Sequence, residues 1–203
     1  MFRIASVLIA GLGLGAALAW SWSVWPFLPG ILGAAVIIFS AGVARRVWNR
    51  AGAVGSEEPG PYERRAWHSM ASISVVSSHL AVSLCSGLDL HVGQGNSLAV
   101  DNWLLLLGAA IGWLILRPQS MDRDERDADM ANRGAHVGYR VLVGLLIVLL
   151  LVLGFAPFPA TEALTLFVLG NLLVVLILIS GLAAFAVQLA GYWAASRPEA
   201  TDG

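Results

Sequence analysis

The chain has 203 residues, 58% of them hydrophobic and 12% charged, with a formal net charge of −1. Soluble domains carry about 25% charged residues, so this composition excludes an ordinary water-soluble domain, and the near-zero balance argues against a nucleic-acid partner. All twelve basic residues are arginine, and the single cysteine, Cys85, excludes an internal disulfide and reads as a small packing residue.

Apolar runs of about twenty residues, the length a bilayer requires, predict an all-α polytopic membrane protein. Six transmembrane helices are expected, at Ile4 to Val24, Pro26 to Ala44, Trp67 to Leu88, Ser97 to Leu116, Val141 to Ala156 and Glu162 to Gln188. They form one transmembrane domain of three helical hairpins, over residues 1–50, 56–117 and 122–193, followed by a short tail at 194–203.

The first run contains "VLIAGLGLGAALA", which looks like a glycine-rich nucleotide loop. Ala16 stands where the last glycine of G-x-G-x-x-G belongs, and no ribose-binding acid follows. The spacing of Gly11 and Gly15 instead suits the close approach of another helix in lipid. "MFR" and the "ALA" at Ala17 to Ala19 have the form of a cleaved signal peptide, but the run is long enough to span and is taken as the first helix.

The connections Trp25 to Leu28, Asp89 to Asn96 and Pro157 to Thr161 contain no arginine. The complementary segments hold all of them: Arg3; Arg45, Arg46, Arg50, Arg64 and Arg65; Arg117, Arg123, Arg126, Arg133 and Arg140; and Arg197. The positive-inside rule then places both termini in the cytoplasm. Trp20, Trp22 and Trp25 mark the outer boundary and Trp48, Trp67 and Trp193 the inner one.

On the third run, Ser69, Ser72, Val76, His79, Ser83 and Ser86 are spaced 3, 4, 3, 4, 3 and share one helix face. Hydroxyl residues at that spacing usually mean tight packing. His79, however, lies about 18 Å from Trp67 along the axis, deep in the bilayer, where an ionisable group needs a partner. Asp101 and Asn102 on the fourth run and Asn171 on the sixth lie at similar depth, so His79, Ser83, Asp101, Asn102 and Asn171 are expected to form a buried polar cluster. A carboxylate beside the imidazole would permit proton-coupled behaviour. Gly108 and Gly112 offer another small-residue face, within or between protomers.

Between the fourth and fifth runs lies a charged stretch whose Asp122 and Glu125 are spaced as a capping box. Asp122 with Arg126 and Asp129 with Arg133 are spaced for helical ion pairs, and Arg126, Arg133 and Arg140 recur every seven residues as one stripe. One helix from about Arg123 to Phe155 would be roughly 50 Å long and so stand out into the cytoplasm. Asp122, Asp124, Glu125, Arg126, Asp129, Arg133, His136 and Arg140 then make a juxtamembrane surface, self-paired or available to a cytoplasmic protein partner. The stretch lacks the glycine and closing glutamate of an EF-hand, so no metal is expected, and no cofactor either. His68 and His136, beside arginines, read as contacts to headgroups or to neighbouring helices.

At an offset of 68 residues, "SEEPGPYERRAWH" lies over "DERDADMANRGAH", matching Glu57 to Glu125, Arg65 to Arg133 and His68 to His136. Asn102 lies over Asn171 at nearly the same offset, and "ILGAAV" at Ile31 to Val36 echoes "LLGAAI" at Leu106 to Ile111. The reading is a tandem two-helix repeat, preceded by a diverged third unit.

"DERD" followed by Arg133, Tyr139 and an apolar span resembles a group of bacterial multi-pass membrane proteins of unknown function that carry a D-E-R-D-type juxtamembrane motif. "NLLVVLILISGLAAFAVQLAGYW" is similar to their last helix, so the likeness covers Asp122 to Trp193; the first copy departs from it, with "SEEP" in place of the motif. The resemblance implies a bacterial inner membrane and lends no activity.

No catalytic constellation stands out, and an enzyme is not expected. Two functional classes follow: a small-solute transporter or small-ligand-binding membrane protein built around the polar cluster, with the lipid bilayer and a homo-oligomer as partners, or a regulatory or accessory membrane protein docking a cytoplasmic partner through the charged helix.

Overall fold

The computed structural model describes residues 2–20, 29–51, 59–85, 97–117, 124–157 and 165–195. These form six helices: α1 (Phe2–Trp20), α2 (Pro29–Ala51), α3 (Pro61–Cys85), α4 (Ser97–Ile115), α5 (Glu125–Phe155) and α6 (Leu166–Ala195). There is no strand among the described residues. The arginine-free connections at 25–28 and 89–96 and most of the one after Pro157 lie outside them, as do Ser86, Asp122 and Arg123.

The helix ends follow local chemistry. Pro29 and Pro61 take the first helical position of α2 and α3, where a missing N–H costs nothing and the fixed φ suits the helix. The last turn of α4 tightens, Arg117 N–H bonding Leu114 O at 3.1 Å. Thr165 caps α6, its hydroxyl oxygen accepting the Val168 N–H at 3.3 Å. Asp124 is the N-cap of α5 without a side-chain cap bond.

Several helices run farther toward the arginine-bearing end than the apolar runs alone indicate: α2 continues to Ala51, α3 starts at Pro61, α5 at Glu125 and α6 ends at Ala195. Hydropathy marks where a chain leaves lipid, whereas arginine, glutamate and alanine continue a helix readily. At ~1.5 Å per residue, α5 with its 31 residues is about 47 Å long, well beyond the roughly 30 Å of a hydrocarbon layer. Four helices, α1, α2, α5 and α6, are long and apolar enough to cross a membrane.

The closest pairings are α1 with α3, α2 with α4 and α5 with α6, while α1 and α2 touch only marginally. The first two pairs are parallel. Gly11 abuts Ser74 and Gly15 abuts the backbone of Val75, whereas along α2 and α4, Gly30 meets Asp101, Ala34 meets Gly108 and Ile37 meets Gly112. The echoing "ILGAAV" and "LLGAAI" segments therefore face one another. The α5–α6 pair is antiparallel, with Gly134 and Gly138 against Ala184 and Ser180.

One glycine pair four residues apart thus builds each close pairing: Gly11 and Gly15, Gly108 and Gly112, and Gly134 and Gly138. Lipid tails give apolar side chains no reason to prefer another helix, so association depends on backbones coming near enough for van der Waals contact. A Cβ on Gly108 would stand 2.7 Å from the Ala34 Cα, and one on Gly134 2.6 Å from the Ala184 carbonyl oxygen.

The centre of the bundle is α3, which packs against α1, α4 and α6. It buries Ser69, Ser72, Ser74, Ser77 and Ser83 along with Met70, Val76, His79 and Leu80. Three of its hydroxyls are satisfied locally: Ser74, Ser77 and Ser83 donate to the carbonyl oxygens of Met70, Ile73 and His79 at 2.7, 2.6 and 2.8 Å. Ser78 reaches across to the Leu12 carbonyl of α1 at 2.6 Å. Many large apolar residues face outward, among them Phe39, Leu107, Ile147, Leu150 and Phe155. A core that mixes hydroxyls with apolar side chains, inside an apolar rim, departs from the pattern of a water-soluble bundle.

Candidate functional site

The site forms where α3, α4 and the start of α2 meet. His79 lies on the α3 face that carries Ser69, Ser72, Val76 and Ser83, all of them buried. Asp101 and Asn102 lie on the buried face of α4, at 0% and 2% exposure. His79 Nδ1 is 2.7 Å from Asn102 Oδ1, and the Ser83 hydroxyl is 3.5 Å from the same oxygen. His79 Nε2 faces Asp101 Oδ2 at 3.6 Å, with no exposed surface on either side chain.

Asp101 is held from its other side. Its Oδ1 accepts the Gly30 N–H at 2.7 Å, a bond to the open first turn of α2, where unpaired N–H groups and the helix dipole favour negative charge. The carboxylate fits there because Gly30 has no side chain, since a Cβ would stand 2.7 Å from Asp101 Cγ.

With Asn102 oriented so that its Oδ1 meets His79 Nδ1, the ring donates from Nδ1. A neutral imidazole then presents a lone pair on Nε2 toward the carboxylate. Two facing lone pairs repel, so the contact is attractive when one proton sits on either His79 Nε2 or Asp101 Oδ2. Neither atom has a hydrogen-bond partner, and Asn102 Nδ2 has none either. Buried polar atoms are nearly always paired, so three unpaired ones side by side call for a partner that the helices themselves do not supply.

Of the five residues grouped from sequence, His79 contacts Ser83, Asp101 and Asn102, and Ser83 also approaches Asn102. Asn171 is buried on α6 at 2% exposure. The antiparallel register that sets Ile73 against Gly181 brings Asn171 to the height of Ser83. Gly30 was not among the sequence candidates; its signal is the Pro-Gly pair opening α2.

His68 marks the arginine-bearing end of the same α3 face. Its Nε2 is 3.0 Å from the Ser40 hydroxyl of α2, and its Nδ1 is 3.3 Å from the Ser72 hydroxyl. Helix neighbours are thus its partners. Around this end, Arg45 donates to the Ile115 carbonyl of α4 at 2.6 Å, a cation on exposed helix-end carbonyls. Arg65 stacks on Trp113 at 3.9 Å and Arg64 lies 5.6 Å from Trp48.

The charged face of α5 stands apart from this site. Asp129 and Arg133 form the expected pair at 2.8 Å, at 49% and 68% exposure. Asp124, Glu125, Arg126, His136 and Arg140 are exposed, and Asp122 lies outside the described residues. Arg126 lies 5.9 Å from the Tyr192 ring. Asp127, not among the sequence candidates, accepts the Tyr192 hydroxyl at 2.7 Å and ties the start of α5 to α6. Among the described residues no group of three metal-ligating side chains occurs.

No protein-family model, curated protein or solved structure matches the chain.

Proposed function

We propose that the chain is an integral membrane protein of six spans in a bacterial inner membrane, both termini cytoplasmic, that moves or binds a small polar solute at the His79–Asp101–Asn102 cluster. The observation that carries this reading is the 3.6 Å approach of His79 Nε2 to Asp101 Oδ2 with both side chains fully buried and neither atom paired. Burying such groups among apolar helices costs several kcal/mol, a cost that packing alone does not require. The arginine-free connections support the orientation, and the "DERD" and "AVQL" stretches support kinship with the bacterial multi-pass group.

The test is proton entry into proteoliposomes holding a trapped pH-sensitive dye, under an imposed pH gradient. Wild-type protein is expected to conduct faster than protein-free vesicles, and Asp101→Asn and His79→Ala to fall to the vesicle baseline. Rates equal to wild type in both variants would overturn the reading.

A second reading, docking of a soluble partner, draws on the exposure of Asp129 and Arg133 on the protruding part of α5. It requires that Asp129→Asn with Arg133→Gln abolish stoichiometric binding of one soluble protein while leaving proton entry unchanged.

A further inference from the structure

The two histidines of α3 share one face. They are eleven residues apart in sequence, three full turns and about 16 Å along the axis, which returns the second to nearly the direction of the first. Both look into the seam between α2 and α4. His68 meets Ser40 of α2 and lies 3.4 Å from where a Gly112 Cβ would stand on α4. His79 meets Asn102 and Asp101 of α4, and Asp101 is bound to Gly30 of α2.

Between them the seam is apolar. Val76, one turn before His79, packs with Ile37 of α2 and Leu105 of α4 in a cluster whose members are 1% to 6% exposed. Ser72, bonded to His68, is the last polar group before this plug. The His68 end reaches the bundle surface, since Ser40 is exposed and His68 half-buried, whereas the His79 end is closed.

We propose that the α2–α3–α4 seam is a proton path, with His68 as its entry, the His79–Asp101 pair as its inner station, and Ile37, Val76 and Leu105 as an apolar gate between them. This rests on the transport reading above and adds the route, the ion and the gate. The separation is too long for a direct hop, so the gate must part and admit water before a proton passes. His68 takes a proton from the aqueous side at one ring nitrogen and releases one to water in the seam. That water returns a proton to the pair, filling the single position shared by His79 Nε2 and Asp101 Oδ2; the pair then gives it up to water on the far side when its closed end opens, so the proton taken from one side is delivered to the other. The only charged group facing His79 is Asp101 among the described contacts. At the His68 end stand Arg45 of α2, held on the Ile115 carbonyl, and Arg65 of α3, stacked on Trp113.

Val76→Ser tests the gate. The new hydroxyl can donate to the carbonyl four residues earlier, as Ser74, Ser77 and Ser83 already do, so it wets the plug without leaving an unpaired group. In the dye-loaded proteoliposomes, Val76→Ser is expected to speed proton entry at least several-fold over wild type, and His68→Ala in the same chain to remove that gain. If Val76→Ser lowers the yield of folded protein, Ile37→Thr brings a hydroxyl into the same plug from α2 and carries the same expectation. Acceleration that survives His68→Ala would overturn the route. A folded Val76→Ser or Ile37→Thr at the wild-type rate, with Asp101→Asn still reducing flux, would overturn the gate and leave the transport reading standing. Rates equal to protein-free vesicles in every protein, Asp101→Asn and Val76→Ser included, would overturn both.

Discussion

The Asp101 side chain on α4 accepts a hydrogen bond from the Gly30 N–H of α2 at 2.7 Å, so one helix supplies the N-terminal cap of another 71 residues away in sequence. The bond closes the α2–α4 pair and sets the carboxylate that faces His79. Stability and site geometry therefore share one interaction.

Asp101 substitutions separate the two roles. Asn keeps an oxygen for Gly30 N–H and removes the charge, so Asp101→Asn is expected to stay within about 1 kcal/mol of wild type in detergent unfolding. Asp101→Ala strands both the Gly30 N–H and the histidine, and is expected to cost about 1 to 3 kcal/mol. Equal melting temperatures for the two variants would show that the cap contributes nothing.

Gly30→Ala is expected to lower stability by about 1 to 3 kcal/mol, because the added carbon would collide with Asp101. The same substitution at Gly13, which has nothing within 4 Å of its Cβ position, is expected to be neutral or to raise stability by up to about 1 kcal/mol. Thermal unfolding of the two side by side is the check.

Much of this arrangement is legible in the amino acids. The apolar runs give the helices, and the 3, 4, 3, 4 spacing gives the buried face of α3. An ionisable group in the middle of an apolar span needs a partner, which is enough to join His79 to Asp101 and Asn102. Pairing between helices is less legible. Gly11 and Gly15 announce a close contact without naming α3 as its other side, and the hairpin expectation favours sequence neighbours, whereas α1 and α2 barely touch. The cap on α2 escapes for a related reason, since a Pro-Gly opening tells that the first turn is free but not which carboxylate arrives.

Two contacts of α5 with very different value offer a further check. Tyr192→Phe removes a part-buried hydrogen bond to Asp127 and is expected to cost about 1 kcal/mol. Arg133→Ala breaks an exposed pair and is expected to cost less than about 0.5 kcal/mol. A larger loss from Arg133→Ala would mean that the outer surface of α5 is covered in the working protein.

His79→Ala removes the residue between Asn102 and Asp101 and leaves a cavity lined by polar atoms. A loss of about 2 to 4 kcal/mol is expected, with His79→Gln recovering part of it by restoring a donor toward Asn102. Failure of Gln to recover any stability would argue that the ring itself, not its hydrogen bond, holds the site together.

The parallel pairing of α1 with α3 and of α2 with α4 has a consequence for biogenesis. A ribosome delivers the first two helices long before either has its proper neighbour, and the small-residue face of α1 stays uncovered until the third emerges. The earliest product in which both α1 and α2 have their close partners is the whole stretch up to the end of α4, with α3 still awaiting α6, so a chain cut between α2 and α3 is expected to be degraded rather than kept as a folding intermediate.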